Sequence, residues 1–353
     1  MYRQYDSVST NRMTIMKNSH RRVVVTSPFF DDGAVAYLKE HGCEVEVVQW
    51  HKGQGDGGLA TPQLVDLLQG ASGWIVGQAY VTRELLAALP ALQVLARRGV
   101  GYERVDVSAV KDLGRVLTIG AGGNDASVAD HTIGLILAVA RRLRESQNRM
   151  LSGNWSILIS SDLSEKTVGI IGLGRIGKSL VQRLKGFETR ILVCHPRPDR
   201  EYGEANGITY VDMETLLRQS DYVSVHAPLT PETRFLIDKA ALALMKPTSV
   251  LINTARGGLV NDSDLLHALK SGRIAGAGLD VYVSESDPGF KPVSDELIAL
   301  PNVVATPHSA GSSAEALART NMVAARTVVS VFDGGDLPAA CVIADGRRSV
   351  SVR

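Results

Sequence analysis

The sequence predicts an α/β fold of two domains, each a doubly wound parallel sheet with helices on both faces. Three observations carry this. The chain has 353 residues, more than one ordinary core organises, and roughly 150 residues per domain gives two. Short β-rich runs alternate with longer amphipathic stretches from residue 22 to 119, and the alternation begins again after residue 166, the pattern of parallel strands joined by crossover helices. A long helical stretch, 125–151, separates the two series.

In the first series, 23–26, 44–48, 74–76, 93–96 and 116–119 read as strands. Residues 33–41 and 62–69 carry apolar side chains at helical spacing, and Gly42, Gly70, Pro90 and Gly114 punctuate the alternation. The glycine-rich 53–58 reads as a flexible loop or an excursion. Residues 125–151 read as one helix, capped by Asn124 or Asp125, with Val128, Leu135, Ile136, Val139 and Leu143 on a stripe. Its first half is apolar on more than one side, as suits a helix packed between domains or subunits.

The second series places strands at 167–171, 190–194, 222–225, 250–253, 278–281 and 303–305. A last helix, from about 312 to 332, lies too far along to extend that sheet and is expected to cross back to the first domain. The expected organisation is a polar, disordered lead-in (1–20) in which Met13 or Met16 offers an alternative start, a discontinuous first domain (21–120 plus 312–340), a second domain (121–311) and a polar tail (341–353).

Composition narrows the function. With 44% hydrophobic and 21% charged residues the chain reads as a globular α/β protein. Lys plus Arg at 38 against Asp plus Glu at 37 leaves a net charge of +1, so no whole-chain field draws nucleic acid or an acidic membrane. No run approaches the roughly 18 apolar residues of a spanning helix. Cys43, Cys194 and Cys341 fit neither a disulfide framework nor a metal site, which favours a reducing cytoplasm.

The most informative stretch is Gly172-Leu173-Gly174-Arg175-Ile176-Gly177, after an apolar run and before a helical one. In such a setting the first glycine makes a tight turn, the second lets a pyrophosphate approach the backbone, and the third lets helix and strand pack closely. The helix N-terminus then supplies N–H groups and positive dipole to the phosphates. A dinucleotide site is expected here.

Four further motifs follow in order. They are His226-Ala227-Pro228-Leu229-Thr230, Asn253-Thr254-Ala255-Arg256-Gly257-Gly258, Gly278-Leu279-Asp280-Val281-Tyr282 with Glu285, and Thr306-Pro307-His308-Ser309-Ala310-Gly311. Together with the glycine turn they resemble the D-isomer-specific 2-hydroxyacid dehydrogenases, over roughly residues 22–335. Upstream, Arg98-Gly99-Val100-Gly101-Tyr102 and residues 124–131 resemble that family's substrate loop and the start of its interdomain helix. The resemblance implies two Rossmann-like domains, the first flavodoxin-like and substrate-binding, with the active site in the interdomain cleft. It also implies a homodimer joined through the long helix. An L-lactate-type dehydrogenase would place its glycine turn near the N-terminus, whereas here a whole domain precedes it.

The implied chemistry has a candidate for each part. Arg256 can grip a carboxylate bidentately and polarise the adjacent carbonyl. His308 follows a strand end and suits proton transfer near neutral pH. Glu285, five residues after Asp280, would hold the far imidazole nitrogen, and Asp287 is the competing acid. A formate-dehydrogenase-like relative would carry Gln at 285. The resemblance assigns Gly172, Gly174, Arg175, Ile176 and Gly177 to the pyrophosphate, Ala227, Pro228 and Thr233 to the adenosine half, and Thr254, Ala255, Asp280, Ala310 and Gly311 to the nicotinamide side. The backbone of Val100 and Gly101, with Arg256, would hold the substrate carboxylate.

Where an acid should bind the ribose 2′-hydroxyl stand His195, Pro196 and Arg197, with Arg200 beyond. Losing the acid removes repulsion toward a 2′-phosphate, so NADP is the preferred cofactor and NAD the alternative. Small 2-oxo acids such as glyoxylate and hydroxypyruvate are the expected substrates. A phosphoglycerate dehydrogenase without a regulatory domain is one alternative. A corepressor-like interaction protein on the same fold is another.

Overall fold

The computed structural model describes residues 21–51 and 54–347. The expected lead-in and the last six residues of the expected tail lie outside them. In chain order the strands are β1 (Arg22–Val25), β2 (Glu44–Val47), β3 (Gly73–Val76), β4 (Val94–Arg97), β5 (Val116–Ile119), β6 (Thr167–Ile171), β7 (Arg190–Cys194), β8 (Ile208–Tyr210), β9 (Tyr222–Val225), β10 (Val250–Asn253), β11 (Gly276–Leu279), β12 (Val303–Ala305) and β13 (Val342–Asp345). The chain divides into two compact units, one of Met1–Asn124 with Ala314–Arg353 and one of Asp125–Ser313.

The first unit holds one sheet in the order β13-β5-β4-β3-β1-β2. Its strands are parallel except β13, which runs antiparallel to β5. From β1 the chain moves outward to β2, then to the other side for β3, so the order reverses between β1 and β3. Val23, Val24 and Val25 have no exposed surface, as a strand covered on both faces requires. Alternate residues feed two cores. Val23, Val25, Ile75 and Val94 pack with Ala324, Ala325, Val328 and Val329 of the helix Ala314–Phe332, and Val24, Trp74, Val76 and Leu95 pack with Leu64, Leu68, Leu85 and Leu86. That late helix is tied to the first loop by Asn321, whose Nδ2 donates to Phe29 O (2.9 Å) and Asp31 Oδ2 (2.7 Å).

The second unit is a seven-stranded sheet in the order β12-β11-β10-β9-β6-β7-β8, parallel throughout. Val168, Ile170, Leu192, Val193, Leu251 and Ile252 are buried between helix layers.

Several expectations are corrected. The tail expected at 341–353 begins with β13: Ile119 N donates to Cys341 O at 2.8 Å, and Cys341 and Ala344 are buried. A four-residue strand beside polar neighbours gives little periodicity, yet it closes the open edge of β5. The single helix 125–151 is two, Asp125–Ala140 and Leu143–Leu151, broken where Arg142 adopts φ +53°. Arg142 is held there by Glu145 and by Ile159 O, and the second helix buries no residue. The strand β8, which was not expected, buries only Ile208 of its three residues. The strand expected at 278–281 is β11, two residues earlier, which leaves Asp280 just beyond its carboxyl end. Of the loop expected at 53–58, residues 54–58 are described, and there Asp56 is wholly buried and accepts hydrogen bonds from the turn after β3.

Among the described residues no helix is long and apolar enough to cross a membrane, no cluster of His, Cys, Asp and Glu could hold a metal ion, and the three cysteines are free.

Asn321→Ala removes two hydrogen bonds and leaves the loop carbonyl of Phe29 without its donor, a loss of about 1–3 kcal/mol. The urea midpoint of the first unit, followed by the fluorescence of buried Trp74, is expected to fall. An unchanged midpoint would show that Asn321 does not tie helix to loop.

Candidate active site

The chemistry gathers at the carboxyl ends of the second unit's strands, where open α/β sheets place ligands. After β6, Gly172 has φ +96°, and a Cβ there would lie 2.6 Å from His226 O. A Cβ at Gly177 would lie 2.5 Å from Gly172 O, whereas one at Gly174 would meet nothing within 4 Å. The first and third glycines are thus forced by crowding, and the second faces open space. Gly174 begins the helix Arg175–Leu184 without a side-chain cap, so the first N–H groups of that helix are available to an anion. These features fit a dinucleotide.

His195 turns toward this loop, its Nδ1 accepting from Leu173 N at 3.2 Å. Pro196, Arg197 and Arg200 are exposed. The nearby acid, Asp199, caps the helix Arg200–Asn206 through Tyr202 N and pairs with Lys178. Just past β9, His226 is held by Ser224 (2.8 Å), and burial pushes its pKa down to about 4. The loop beyond it is stapled by Thr233, which donates to Pro228 O at 2.6 Å. Ala227 and Pro228 are therefore held in a fixed turn.

After β10, Asn253 organises the next loop: its Oδ1 accepts from Ala255 N and its Nδ2 donates to Arg256 O. Thr254 is buried, its hydroxyl 2.9 Å from that of Thr132. Arg256 donates to Ala255 O at 2.7 Å. Gly257 is compulsory, because a Cβ there would lie 2.0 Å from Tyr282 O.

The third loop carries the proton chemistry. Glu285 Oε2 lies 2.6 Å from His308 Nδ1, and its Oε1 accepts from Tyr282 N at 2.8 Å. Burial raises the Glu285 pKa, but the bond and charge of His308, the Tyr282 N–H and the nearby Arg256 together hold it below the usual carboxylate range. Asp287 instead caps a short turn through Gly289 N, so Glu285 is the acid paired with His308.

His308 itself has φ +53°, a left-handed backbone that costs a non-glycine residue about 1–3 kcal/mol unless its surroundings impose it. Asp280 imposes it. Its backbone carbonyl accepts from His308 N (2.7 Å), its Oδ1 from Ser309 N (2.8 Å) and Thr306 Oγ1 (2.5 Å), and its Oδ2 from Ala310 N (2.9 Å). His131, on the helix Asp125–Ala140, completes the clasp at 2.9 Å from Thr306 Oγ1. Asp280, expected beside the nicotinamide, has no exposed surface and is committed to this loop. Ala310 is buried and donates to it, while Gly311 follows on the loop.

Sequence reasoning quoted Thr306 and His131 within motifs without giving either a role, and it missed Asp262. The last is a buried carboxylate accepting from Val283 N at 2.9 Å, close enough to Glu285 to feel its charge. In the sequence Asp262 is indistinguishable from an ordinary acid in a first helical turn. Val100 and Gly101 belong to the first unit, just after β4.

Residues 133–310 match the family model described as "D-isomer specific 2-hydroxyacid dehydrogenase, NAD binding domain". The chain is 39% identical over 267 residues to a glyoxylate reductase of Thermococcus litoralis, covering 73% of this chain and 79% of that protein. It is 35% identical over 316 residues to a D-3-phosphoglycerate dehydrogenase of Archaeoglobus fulgidus, covering 89% of this chain but 58% of the relative. The fold is similar to a crystal structure of a Thermus thermophilus protein, with a TM-score of 0.81 at 33% identity over 91% of this chain and 99% of that one.

Asp262 gives the site a pH signature. Burial, with the Glu285 charge adding to it, raises its pKa from 3.8 to about 6. Between these values the folded protein holds more protons than the unfolded chain, so this group's contribution to stability falls as pH rises from about 4 to 6. Asp262→Asn is expected to remove that fall, on the order of 2 kcal/mol. Urea midpoints of both proteins at pH 4.5 and 7.5 check it, and equal pH dependence would refute it.

Proposed function

The chain belongs to the D-isomer-specific 2-hydroxyacid dehydrogenases, and from that premise we propose that it reduces small 2-oxo acids such as glyoxylate or hydroxypyruvate, and oxidises the corresponding 2-hydroxy acids. The observation that carries this reading is the Glu285–His308 pair. Nδ1 of His308 is engaged by the carboxylate, which leaves Nε2 to give a proton to the carbonyl oxygen in reduction and take it back in oxidation. The depressed Glu285 pKa keeps that carboxylate ionised opposite the imidazolium. A bound nicotinamide supplies or accepts the hydride.

Arg256, whose charge is felt at Glu285, grips the substrate carboxylate and polarises the carbonyl. Arg175, Ile176 and the glycine turn cradle the pyrophosphate, with Ala227, Pro228 and Thr233 at the adenosine half. Thr254, Ala255, Ala310 and Gly311 border the nicotinamide, and Asp280 acts there through the loop it holds.

The preferred cofactor is NADP. His195 supplies no carboxylate at the end of β7, and exposed Arg197 and Arg200 offer charge to a 2′-phosphate while Asp199 is occupied by its helix cap and by Lys178. The working form is a homodimer. The helix Leu143–Leu151 buries nothing, and Leu143, Leu151, Trp155, Ile157 and Ile159 are exposed on it and the segment after it, more apolar surface than a lone subunit leaves to water. Three free cysteines suit a cytoplasmic setting.

With glyoxylate and hydroxypyruvate, kcat/KM is expected to be at least tenfold higher with NADPH than with NADH, and His308→Gln to lower kcat about 10²–10⁴-fold. A folded protein inactive across a panel of 2-oxo acids with both cofactors would refute the reading, and an NADH preference would refute the cofactor assignment alone. Light scattering is expected to give twice the chain mass for the parent and a monomer for Ile157→Glu. A monomeric parent would overturn the dimer.

A further inference from the structure

The turn that carries Glu285 is held by a buried acid on another element. Asp262 is the first residue of the helix Asp262–Lys270. Its neighbours serve helix ends: Asn261 caps its own helix through Ser263 N and Asp264 N, and Asp264 Oδ2 accepts from Lys239 N at the start of the helix Lys239–Leu244. Asp262 turns to the active-site loop instead, where its Oδ2 accepts from Val283 N at 2.9 Å.

Val283 opens the short turn Val283–Glu285, and the peptide link between Tyr282 and Val283 is where separate parts of the site meet. Its N–H goes to Asp262, while its carbonyl accepts from Glu285 N at 3.3 Å and so closes the turn. The Arg256 loop lies against the same link, since a Cβ at Gly257 would be 2.0 Å from Tyr282 O and 2.9 Å from Val283 N. One N–H earlier, that of Tyr282, is the donor that holds Glu285 Oε1 and leaves Oε2 2.6 Å from His308 Nδ1. Ser294 adds a side-chain contact to the turn, donating to Ser284 Oγ at 2.8 Å. The backbone itself is left to Asp262. A hydrogen bond to a carboxylate is stronger than one between neutral groups, and more so in a dry surround, so this bond sets the plane of the link and the course of the chain from Tyr282 N to Glu285.

We propose that Asp262 is a positioning residue of the proton relay, which by holding the Val283 N–H fixes the turn in the conformation that aims the Glu285 carboxylate at His308 Nδ1. It acts through Glu285 and not on the substrate. The Arg256 loop has its own tie in Asn253, so the grip on the substrate carboxylate does not depend on Asp262. In naming a relay the proposal rests on the 2-oxo-acid reading above.

The proton between His308 Nδ1 and Glu285 gives a readout that needs no substrate. A bond of 2.6 Å carries that proton far downfield in proton NMR, and His308→Gln identifies the signal by removing it. The parent is expected to show the signal, Asp262→Leu to lose it or move it upfield, and Asp262→Asn, which keeps an oxygen for Val283 N, to retain it. In glyoxylate reduction with NADPH, Asp262→Leu is expected to lower kcat about tenfold with both KM values changed less than about threefold, and Asp262→Asn to recover kcat to within about threefold of the parent. A folded parent without the signal, an Asp262→Leu protein that keeps it, or an Asp262→Asn protein as impaired as Asp262→Leu would overturn the proposal. Should Asp262→Leu not fold, Asp262→Ala takes its place in both measurements. If the signal responds as expected but no 2-oxo acid is reduced, the catalytic reading fails and the positioning of Glu285 by Asp262 stands.

Discussion

One carboxylate with no exposed surface organises the candidate active site. Asp280 stands one residue past β11 and takes the Ser309 and Ala310 N–H groups and the Thr306 hydroxyl, while its carbonyl takes the His308 N–H. A buried charge is tolerated only when hydrogen bonds replace its water, and here the replacements all come from the loop that presents His308. Folding satisfies Asp280 and in the same act bends His308 into the left-handed region. The imidazole thereby arrives at Glu285 with its orientation fixed, and His131 links the clasp to the long helix through Thr306.

The glycines express the same logic in another form. Gly172, Gly177 and Gly257 are sites where a backbone carbonyl would be closer than 3 Å to any added carbon, whereas Gly174 looks onto empty space. Three of these positions let the chain touch itself, and the remaining one lets something else touch the chain. Polar side chains hold the loops that follow the strands: Asn253 the Arg256 loop, Thr233 the Pro228 turn, and Asp56 the turn after β3.

Much of this was legible in the sequence. Strands such as β6, β9 and β10 carry continuous apolar runs, and the glycine turn announces its own geometry. Glu285 and His308, 23 residues apart, meet as the resemblance implied. What escaped had no periodicity to reveal it. The strands β8 and β13 are three and four residues long, and the break at Arg142 depends on Glu145 and on a carbonyl 17 residues away. Asp280 illustrates a deeper ambiguity. A strand-end acid can face a ligand or its own chain, and only the positions of its donors decide between them.

The first unit is assembled from both ends of the chain, which bears on the order in which the protein comes into being. Asn321 meets Phe29 across 292 residues and Thr327 meets Thr118 across 209, whereas the second unit is one uninterrupted stretch. Loop closure by itself is a mild obstacle, about 0.6 kcal/mol for each doubling of length. Synthesis is the stronger one: β1 to β5 are made before the second unit, yet the helix that covers Val23, Ile75 and Val94 is made only after it. Until then one face of a five-stranded sheet is bare apolar surface, the kind of transient exposure on which chaperones act. Arg319, donating to Gly123 O, fastens the returning chain beside the point where it departed.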